Sequence, residues 1–445
     1  MKLDQNLTAE KLLDLAKQNG AEDVDISINE TVSQSSQIRL SKLESSEISE
    51  TVSISLRVFI NNKTSIISST RFDDESLKSI CKKAVDMAKA TPENPYSRLA
   101  KITEQAKIFP KIELYDKKEL SNKELEDLAL ECEDSALEVN GITNTDGSSA
   151  NSTKSFTTVA TSNGFFRQYK KSNFSFSVVV LAKKNGEMQR DFDYSNSVFF
   201  SDLKNPSIVG KNASERTLSK LGSKKPNSGK FSIIFNKRIS NSIVSHISNA
   251  INGNFIARGT SFLKNSLNKK ITSSSIKLID DPLINRALGS KFFDGESLPV
   301  QKRILIKEGV LMGWLLDLST SIQLKMPPTG NALRFSSSPP SPGPSNIYIE
   351  NGNTKLDDFV SSIKNGFYVT ELIGNSVNLT NGDYSRGASG FWIENGKISF
   401  PVSEVTIAGN LNEIFQSLEP ANDLNIDKVI SSPSLFVKEM TVAGN

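Results

Sequence analysis

The sequence predicts an α+β protein, built from amphipathic helices and antiparallel strands, and three kinds of pattern predict it. Apolar residues recur at helical spacing in several segments, for example at Leu77, Cys81 and Ala84. Other segments, such as 46–60, alternate apolar and polar residues as half-buried strands do. Asn-Gly pairs between such segments indicate β-hairpins. Because 445 residues exceed the size at which one core keeps growing, we expect two or three domains.

Residues 1–108 are expected to form an N-terminal α/β unit. A first helix is predicted with Thr8 as its N-cap and Gly20 at its end. A second helix is predicted to begin at Asp73. Between the helices, strands are expected over 24–28, 36–43, 46–60 and 65–69.

Residues 109–225 are expected to form a central unit of helices and antiparallel strands. Ser121 and Glu124 match a capping box and predict the start of a helix. Another helix is predicted from Pro206 to a stop at Gly222. Hairpin turns are expected at Asn163-Gly164 and Asn185-Gly186. A linker rich in Ser, Lys, Pro and Gly then separates this unit from the rest of the chain.

Residues 226–445 are expected to form a C-terminal, mostly antiparallel β domain. Short helices interrupt it, and they are predicted around 239–252, 357–365 and 410–418. The Ser-Pro-rich tract 337–345 is predicted to be a rigid loop at the surface or at a pocket edge, because proline fixes φ and removes a hydrogen-bond donor.

The charge balance argues against nucleic acid as a partner. Lysine and arginine total 53 against 50 aspartates and glutamates, which gives a formal net charge of +3. Both signs are interspersed along the chain, and no basic block of the kind that binds phosphate backbones is present.

Three features predict a cytoplasmic protein without a membrane segment. The N-terminus is polar and lacks the apolar stretch of a secretory signal. No apolar run approaches the roughly 20 residues of a membrane span. Only two cysteines occur, Cys81 and Cys132, and both lie on apolar faces of predicted helices, which favours free thiols in a reducing compartment, although their spacing leaves a disulfide open.

The chain contains one histidine, His246. A mononuclear zinc hydrolase usually needs two or three imidazole ligands, so an autonomous zinc site of that kind is not expected. His246 lies in a Ser/Asn/Ile stretch that predicts a short amphipathic helix without a nearby acid. A packed or half-exposed histidine is therefore the expected role.

Several tracts have combinations of residues that ordinary loops and strands do not require. Two of them are Gly382-Asp383-Tyr384-Ser385-Arg386-Gly387-Ala388 and Phe391-Trp392-Ile393-Glu394-Asn395-Gly396. The others cover 258–262, 280–282, 293–296, 337–345, 401–410 and 440–444, with 56–59 and 88–96 in the N-terminal half. In this order and spacing they closely resemble the TldD/PmbA family, once called modulators of DNA gyrase. The match looks like the PmbA (TldE) branch and extends over essentially the whole chain.

This resemblance implies a cytosolic zinc-dependent peptidase assembled from two related subunits. In the metal-bearing TldD branch, a helix carries His-Glu-x-x-x-His before a Gly-Thr-Ser tract, and a later cysteine completes the site. Counting back from Gly259 places the two metal histidines at Val244 and Asn249 and the glutamate at Ser245. The resemblance thus implies a metal-free subunit that binds no cofactor itself, with zinc in its partner.

Eight residues in two of the tracts are candidates for binding a peptide or the partner subunit. They are Arg258, Gly259, Thr260, Ser261, Asp383, Tyr384, Ser385 and Arg386. Structural alternatives remain open: 258–261 also fits a helix exit whose glycine permits positive φ, and 382–386 also fits a turn between strands. The acids in 280–282 and 294–296 are expected to be turn acids and N-caps.

Three functions follow as hypotheses. The first is a non-catalytic subunit that pairs with a zinc-bearing TldD-type paralogue and acts on unfolded or extended peptides, in peptide maturation or antitoxin turnover. The second is an autonomous homodimeric peptide-binding or scaffold protein. The third is a hydrolase with its own nucleophile, Ser261 or Ser385, and a lysine or carboxylate base.

Overall fold

The N-terminal half forms one six-stranded antiparallel sheet, seen in a computed structural model that describes residues 3–444. The strands are β1 (Asp23–Arg39), β2 (Lys42–Ile60), β3 (Lys63–Ser69), β4 (Asn144–Thr161), β5 (Phe166–Lys184) and β6 (Glu187–Ser197). Their order is β3-β2-β1-β4-β5-β6, so β1 pairs with both β2 and β4. Strands from the first two predicted units therefore share a sheet, while the boundaries at 108 and 225 stay predictions.

Four helices cover one face of this sheet. They are α1 (Gln5–Gln18), α2 (Asp74–Ala90), α3 (Asn122–Leu137) and α4 (Pro206–Ser219), and a 3-10 turn spans Phe200–Asp202. Residues such as Ile26 and Phe176, at even-numbered positions of β1 and β5, point towards the helices and are buried. Residues at odd-numbered positions of β1 and β4, such as Ser33 and Thr153, lie on the opposite face, which is rich in Ser, Thr and Asn.

Two sequence predictions in this half were wrong. The first helix begins earlier than predicted, at Gln5, because the Asp4 carboxylate caps it by accepting the N–H groups of Asn6 and Leu7. The predicted strand 24–28 and the first half of the predicted strand 36–43 belong to one continuous strand, β1, whereas Leu40 and Ser41 form a turn with positive φ and 42–43 begin β2. The polar residues between them alternate between the two faces of the sheet, and β2 and β4 pair with them on both sides, which keeps the strand continuous.

Other local signals in this half are confirmed. Asp73 caps α2, and Ser121 caps α3 in a capping box with Glu124. Asn185 and Gly186 both have positive φ in the hairpin between β5 and β6. Within residues 3–444, no helix is both long and apolar enough to cross a membrane.

The C-terminal half contains a second six-stranded sheet. Its strands are β7 (Gly229–Phe235), β14 (Asn365–Val377), β15 (Asp383–Glu394), β16 (Lys397–Asn410), β17 (Leu418–Pro420) and β19 (Leu435–Ala443). The order is β16-β15-β14-β7-β19-β17, and β16 also pairs with β19, which closes the sheet on itself. All pairs except β7 with β14 are antiparallel, as the sequence predicts.

Shorter elements pack around this sheet. The strands are β8 (Leu278–Asp280), β9 (Arg303–Lys307), β10 (Val310–Leu311), β11 (Ala332–Leu333), β12 (Ser341–Pro342), β13 (Ile347–Ile349) and β18 (Ile430–Ser431). The helices are α5 (Asn241–Ala250), α6 (Gly253–Ala257), α7 (Leu318–Gln323), α8 (Leu356–Ser362) and α9 (Leu411–Gln416). Three of them, α5, α8 and α9, confirm the predicted short helices. The predicted Ser-Pro loop is mostly irregular, but β12 within it pairs with β11.

A buried ionic cluster joins the two halves at the helix-free face of the first sheet. Arg57 Nη2 lies 2.7 Å from Asp25 Oδ2, and Arg57 Nη1 lies 3.3 Å from Glu296 Oε1. Arg334 Nη2 lies 2.8 Å from the other oxygen of Asp25. We call these four residues the interface cluster, and within it each charge faces an opposite one.

The predicted turn acids have several different roles. Asp294 is a turn acid, accepting the N–H groups of Glu296 and Leu298. Glu296 is not one, because it bonds Arg57 and accepts the Leu318 N–H at the start of α7. Asp280 is also not one, since it lies buried in β8 and accepts from the side chain of Asn331. Burial outweighs the nearby Arg57 charge and raises the pKa of Glu296 to about 7.

Candidate site at helix α5 and strand β15

Helix α5 carries the positions at which the family resemblance places a zinc site. Val244 is fully buried in the apolar core, Ser245 is half-buried and Asn249 is exposed. The two positions expected for histidines therefore face different sides of the helix. Valine has no donor atom, and the neutral oxygens of serine and asparagine bind zinc weakly, so these residues do not fit the metal.

The cysteines do not supply a ligand to this helix. Cys81 and Cys132 are free thiols on α2 and α3, and burial raises the pKa of each thiol to about 12. Zinc binds the thiolate, which these buried groups do not form readily. In the part of the chain that the structure describes, no group of three or more His, Cys, Asp or Glu is arranged to hold a metal ion.

His246 packs against strand β15. It is only 7% exposed, and its ring lies edge-to-face with Tyr384, with ring centroids 5.8 Å apart. Burial, aided by the charge of Arg386, lowers the pKa of His246 to about 4. The imidazole is therefore neutral at physiological pH, as expected for a packed histidine.

Tyr384 and Arg386 point from β15 towards the same helix, since they are alternate residues of one strand. His246 Nε2, Tyr384 Oη and Arg386 Nε are all buried, and none has a hydrogen bond of normal geometry within residues 3–444. No carboxylate oxygen of the described residues lies within 4.0 Å of the Arg386 guanidinium. Buried polar atoms normally have partners, so these three atoms, which we call the unpaired cluster, mark a candidate binding site.

The tract 258–261 forms the end of helix α6, which is the alternative that the sequence left open beside a binding role. Gly259 has a φ of +70°, and its N–H donates to the Ile256 carbonyl while the Thr260 N–H donates to that of Phe255. These two bonds form a Schellman motif, which ends α6. Arg258 is the exposed C-cap.

The two candidate tracts meet beside α5. The Phe262 N–H donates to the Leu379 carbonyl at 2.8 Å, which links the helix exit to the turn before β15. That turn ends at Gly382, so the turn expected over 382–386 is wrong for its last four residues, which lie in β15. Asp383 is held there by the side chains of Asn381 and Asn410.

Neither serine has the surroundings of a nucleophile. Ser261 is 1% exposed, and its hydroxyl donates to the Ala250 carbonyl at 2.6 Å and accepts from the Leu263 N–H. Ser385 is exposed, and no lysine or carboxylate of the described residues hydrogen-bonds to it. A general base must lie within hydrogen-bond reach of its nucleophile, so the geometry does not support the third hypothesis.

Sequence reasoning selected Tyr384 and Arg386 but not the ring contact between Tyr384 and His246. The histidine stood out only because it is unique, and its role was expected to be packing alone. No local pattern links it to β15, because the contact depends on how α5 docks on the second sheet. The structure thus adds His246 to the candidate site.

Comparison with known proteins places this geometry in a family. Models of the PmbA/TldA metallopeptidase match domain 1 at residues 24–88, the central domain at 115–221 and the C-terminal domain at 228–444. The metalloprotease PmbA of Escherichia coli O157:H7 is 32% identical over 96% of this chain and 93% of its own length. A PmbA homologue from Buchnera aphidicola is 31% identical over 98% and 96%.

A solved structure agrees with these matches. The crystal structure of a candidate modulator of DNA gyrase from Bacteroides thetaiotaomicron superposes with a TM-score of 0.91 and 28% identity, covering 100% of both chains. The family models cover all three parts of the chain and well over half of its residues. This chain therefore belongs to the TldD/PmbA family of metallopeptidases.

Proposed function

We propose that this chain is the metal-free subunit of a cytosolic metallopeptidase. It pairs with a zinc-bearing TldD-type paralogue and helps to hold unfolded or extended peptides for cleavage by that partner. One observation carries the proposal: the helix that should bear the zinc ligands has Val244 in the core and Asn249 in solvent. Family membership supports a peptidase role. The residues of α5 at the expected zinc positions are poor metal ligands, which argues against catalysis at this helix.

The unpaired cluster supports a role in binding. The buried atoms Arg386 Nε, Tyr384 Oη and His246 Nε2 have no hydrogen-bond partner of normal geometry among the described residues. A carboxylate or carbonyl from a bound peptide or from the partner would complete these hydrogen bonds. In this proposal, strand β15 and the adjacent helix exit at 258–262 form part of the surface that the peptide or partner contacts.

The test is reconstitution with the paralogue. The tagged chain is co-expressed with it, the complex is isolated, and zinc content and peptide cleavage are measured for each subunit and for the pair. We expect co-elution, substoichiometric zinc and no cleavage with this chain alone, and cleavage by the pair. A self-contained homodimer that never binds the paralogue would instead support the autonomous scaffold, and stoichiometric zinc in the isolated chain would contradict the proposal.

Two substitutions refine this test. Arg386→Met should lower cleavage by the pair, because it removes the cation of the unpaired cluster. His246→Gln should leave cleavage within a few-fold of wild type, because an amide retains the polar contacts of a neutral imidazole. Arg71→Met is a matched control, since Arg71 is exposed and lies on the loop before α2.

A further inference from the structure

A cavity of about 630 Å³ lies apart from the α5–β15 site, and no residue of α5 or β15 lines it. The connector before α3, the edge of β5 and a loop of the C-terminal half form its walls. Six aromatic residues contribute to the lining: Phe109, Tyr115, Tyr169, Phe199, Phe292 and Phe293. A volume of several hundred Å³ with mostly apolar walls is typical of ligand sites.

The aromatic wall is held in place by the rings' own packing. Phe293 makes edge-to-face contacts with Phe109 and Tyr169, with ring centroids 6.0 and 5.6 Å apart. Tyr169 also packs on Phe292 at 6.0 Å. Rings from three distant segments therefore support one another, and the wall does not depend on a ligand for its shape.

An open strand edge borders the same cavity. Strand β6 pairs with β5 only from Phe174 onwards, and the Ser172 N–H is taken by the Leu114 carbonyl of the connector. Because main-chain groups alternate along a strand, those of Lys170 and Gln168 also point outwards. No main-chain or side-chain group of the described residues bonds to them. An edge of this kind can accept an added strand.

The charges that line the cavity are unbalanced. Glu113 is already paired with Arg286 at 2.8 Å, and Asp116 accepts the main-chain N–H of Phe200. The cations Lys117, Arg167 and Lys170 have no carboxylate within 4.0 Å among the described residues. Arg167 lies over the Phe109 ring and Lys170 over the Tyr115 ring, at 4.5 and 5.5 Å from the ring centroids.

We propose that this cavity binds an extended peptide segment that adds as a strand to the open edge of β5. The segment places an aromatic side chain against the aromatic wall and an acidic side chain beside Arg167 and Lys170. The main-chain groups of Gln168 and Lys170 supply hydrogen bonds that do not depend on the peptide sequence. The aromatic rings and the cations select for an aromatic and an acidic side chain in the peptide. This site goes beyond the proposed function, because it requires neither the paralogue nor its zinc.

The experiment measures binding of three fluorescein-labelled six-residue peptides to the full-length chain by fluorescence anisotropy. The first contains a Phe-Asp pair between serines, the second has Lys in place of Asp, and the third is the first peptide N-methylated at alternate residues. We expect the first to bind best and the other two about tenfold or more weaker, since they lose the charge match or the main-chain bonds.

The double variant Arg167→Glu/Lys170→Glu should weaken the first peptide by about tenfold or more. Both residues are exposed, so the fold is retained. Lys183→Glu is the matched control, because Lys183 is exposed on the same strand away from the cavity and should leave binding unchanged. Equal binding of the N-methylated peptide, equal binding by the double variant, or no binding of the first peptide at millimolar concentration would each overturn the proposal. All three readouts are independent of peptidase activity.

Discussion

Two buried polar regions of this protein differ in how completely they are paired. In the interface cluster, Arg57 and Arg334 share the Asp25 carboxylate, and Arg57 also contacts Glu296. In the unpaired cluster, the polar atoms of three side chains find no partner of normal geometry. Paired charges of this kind link two parts of the chain, whereas buried polar groups without partners mark a candidate binding site.

The largest expected effect is in the interface cluster. Arg57→Met should lower the free energy of unfolding by about 3–5 kcal/mol, because buried Asp25 would lose one of its two cationic partners and Glu296 would lose its ion pair. Chemical denaturation measures the loss. Arg71→Met is the control, since the Arg71–Asp73 pair is exposed and should contribute less than about 1 kcal/mol. A loss in Arg57→Met no larger than in the control would contradict a structural role for the cluster.

The second prediction concerns Glu296 and pH. Burial raises its pKa to about 7 in the folded protein, from an ordinary value of 4.5. Between these values the folded state holds a proton that the unfolded chain has released, so the stability from this group falls as pH rises from 4.5 to 7. Glu296→Gln should remove this dependence, worth up to about 1.4 kcal/mol per pH unit.

Denaturation at pH 5, 6 and 7 checks this prediction. Glu47→Gln serves as the control, because Glu47 is exposed on β2. The Glu296 variant should show a flatter pH profile than the control. Identical profiles for the two variants would show that Glu296 is not buried as described.

The third prediction concerns the single histidine of the unpaired cluster. The pKa of His246 is about 4, below its ordinary value of 6.5. The unfolded chain therefore binds a proton between pH 6.5 and 4 that the folded protein does not, and stability falls as pH drops through this window. The change is up to about 1.4 kcal/mol per pH unit, and His246→Gln should remove it.

NMR gives a direct check of His246, because one imidazole yields one set of ring signals. These signals should not shift with pH until about pH 5 while the protein remains folded. A titration midpoint near 6.5 would mean that the ring is exposed and that the contact with Tyr384 is not formed.

The smallest effect is expected for Arg386→Met. This is the same substitution as Arg57→Met, yet it should change the free energy of unfolding by less than about 1 kcal/mol, because no ion pair is lost. Denaturation of both variants under one condition gives the comparison. If Arg386→Met destabilised the chain as much as Arg57→Met does, the distinction between the two clusters would fail.

Much of the local structure follows from the sequence because it depends on nearby residues. Asp73 and Ser121 cap their helices with their own side chains, and Asn185 with Gly186 adopts the positive φ that a tight hairpin needs. Where the extent of β1 was missed, distant contacts were responsible. The polar middle of β1 resembles a loop in sequence, but β2 and β4 pair with it on both sides and keep it extended.

The sequence by itself determined the fold class, most caps and hairpins, and the family. Only the tertiary structure decided that β1 and β4 share a sheet, that Arg57 meets Glu296, and that His246 faces Tyr384. The reason is physical: caps and turns satisfy backbone groups within a few residues, whereas burial and pairing of side chains depend on which distant surfaces pack together. The functional candidates lie at those distant contacts.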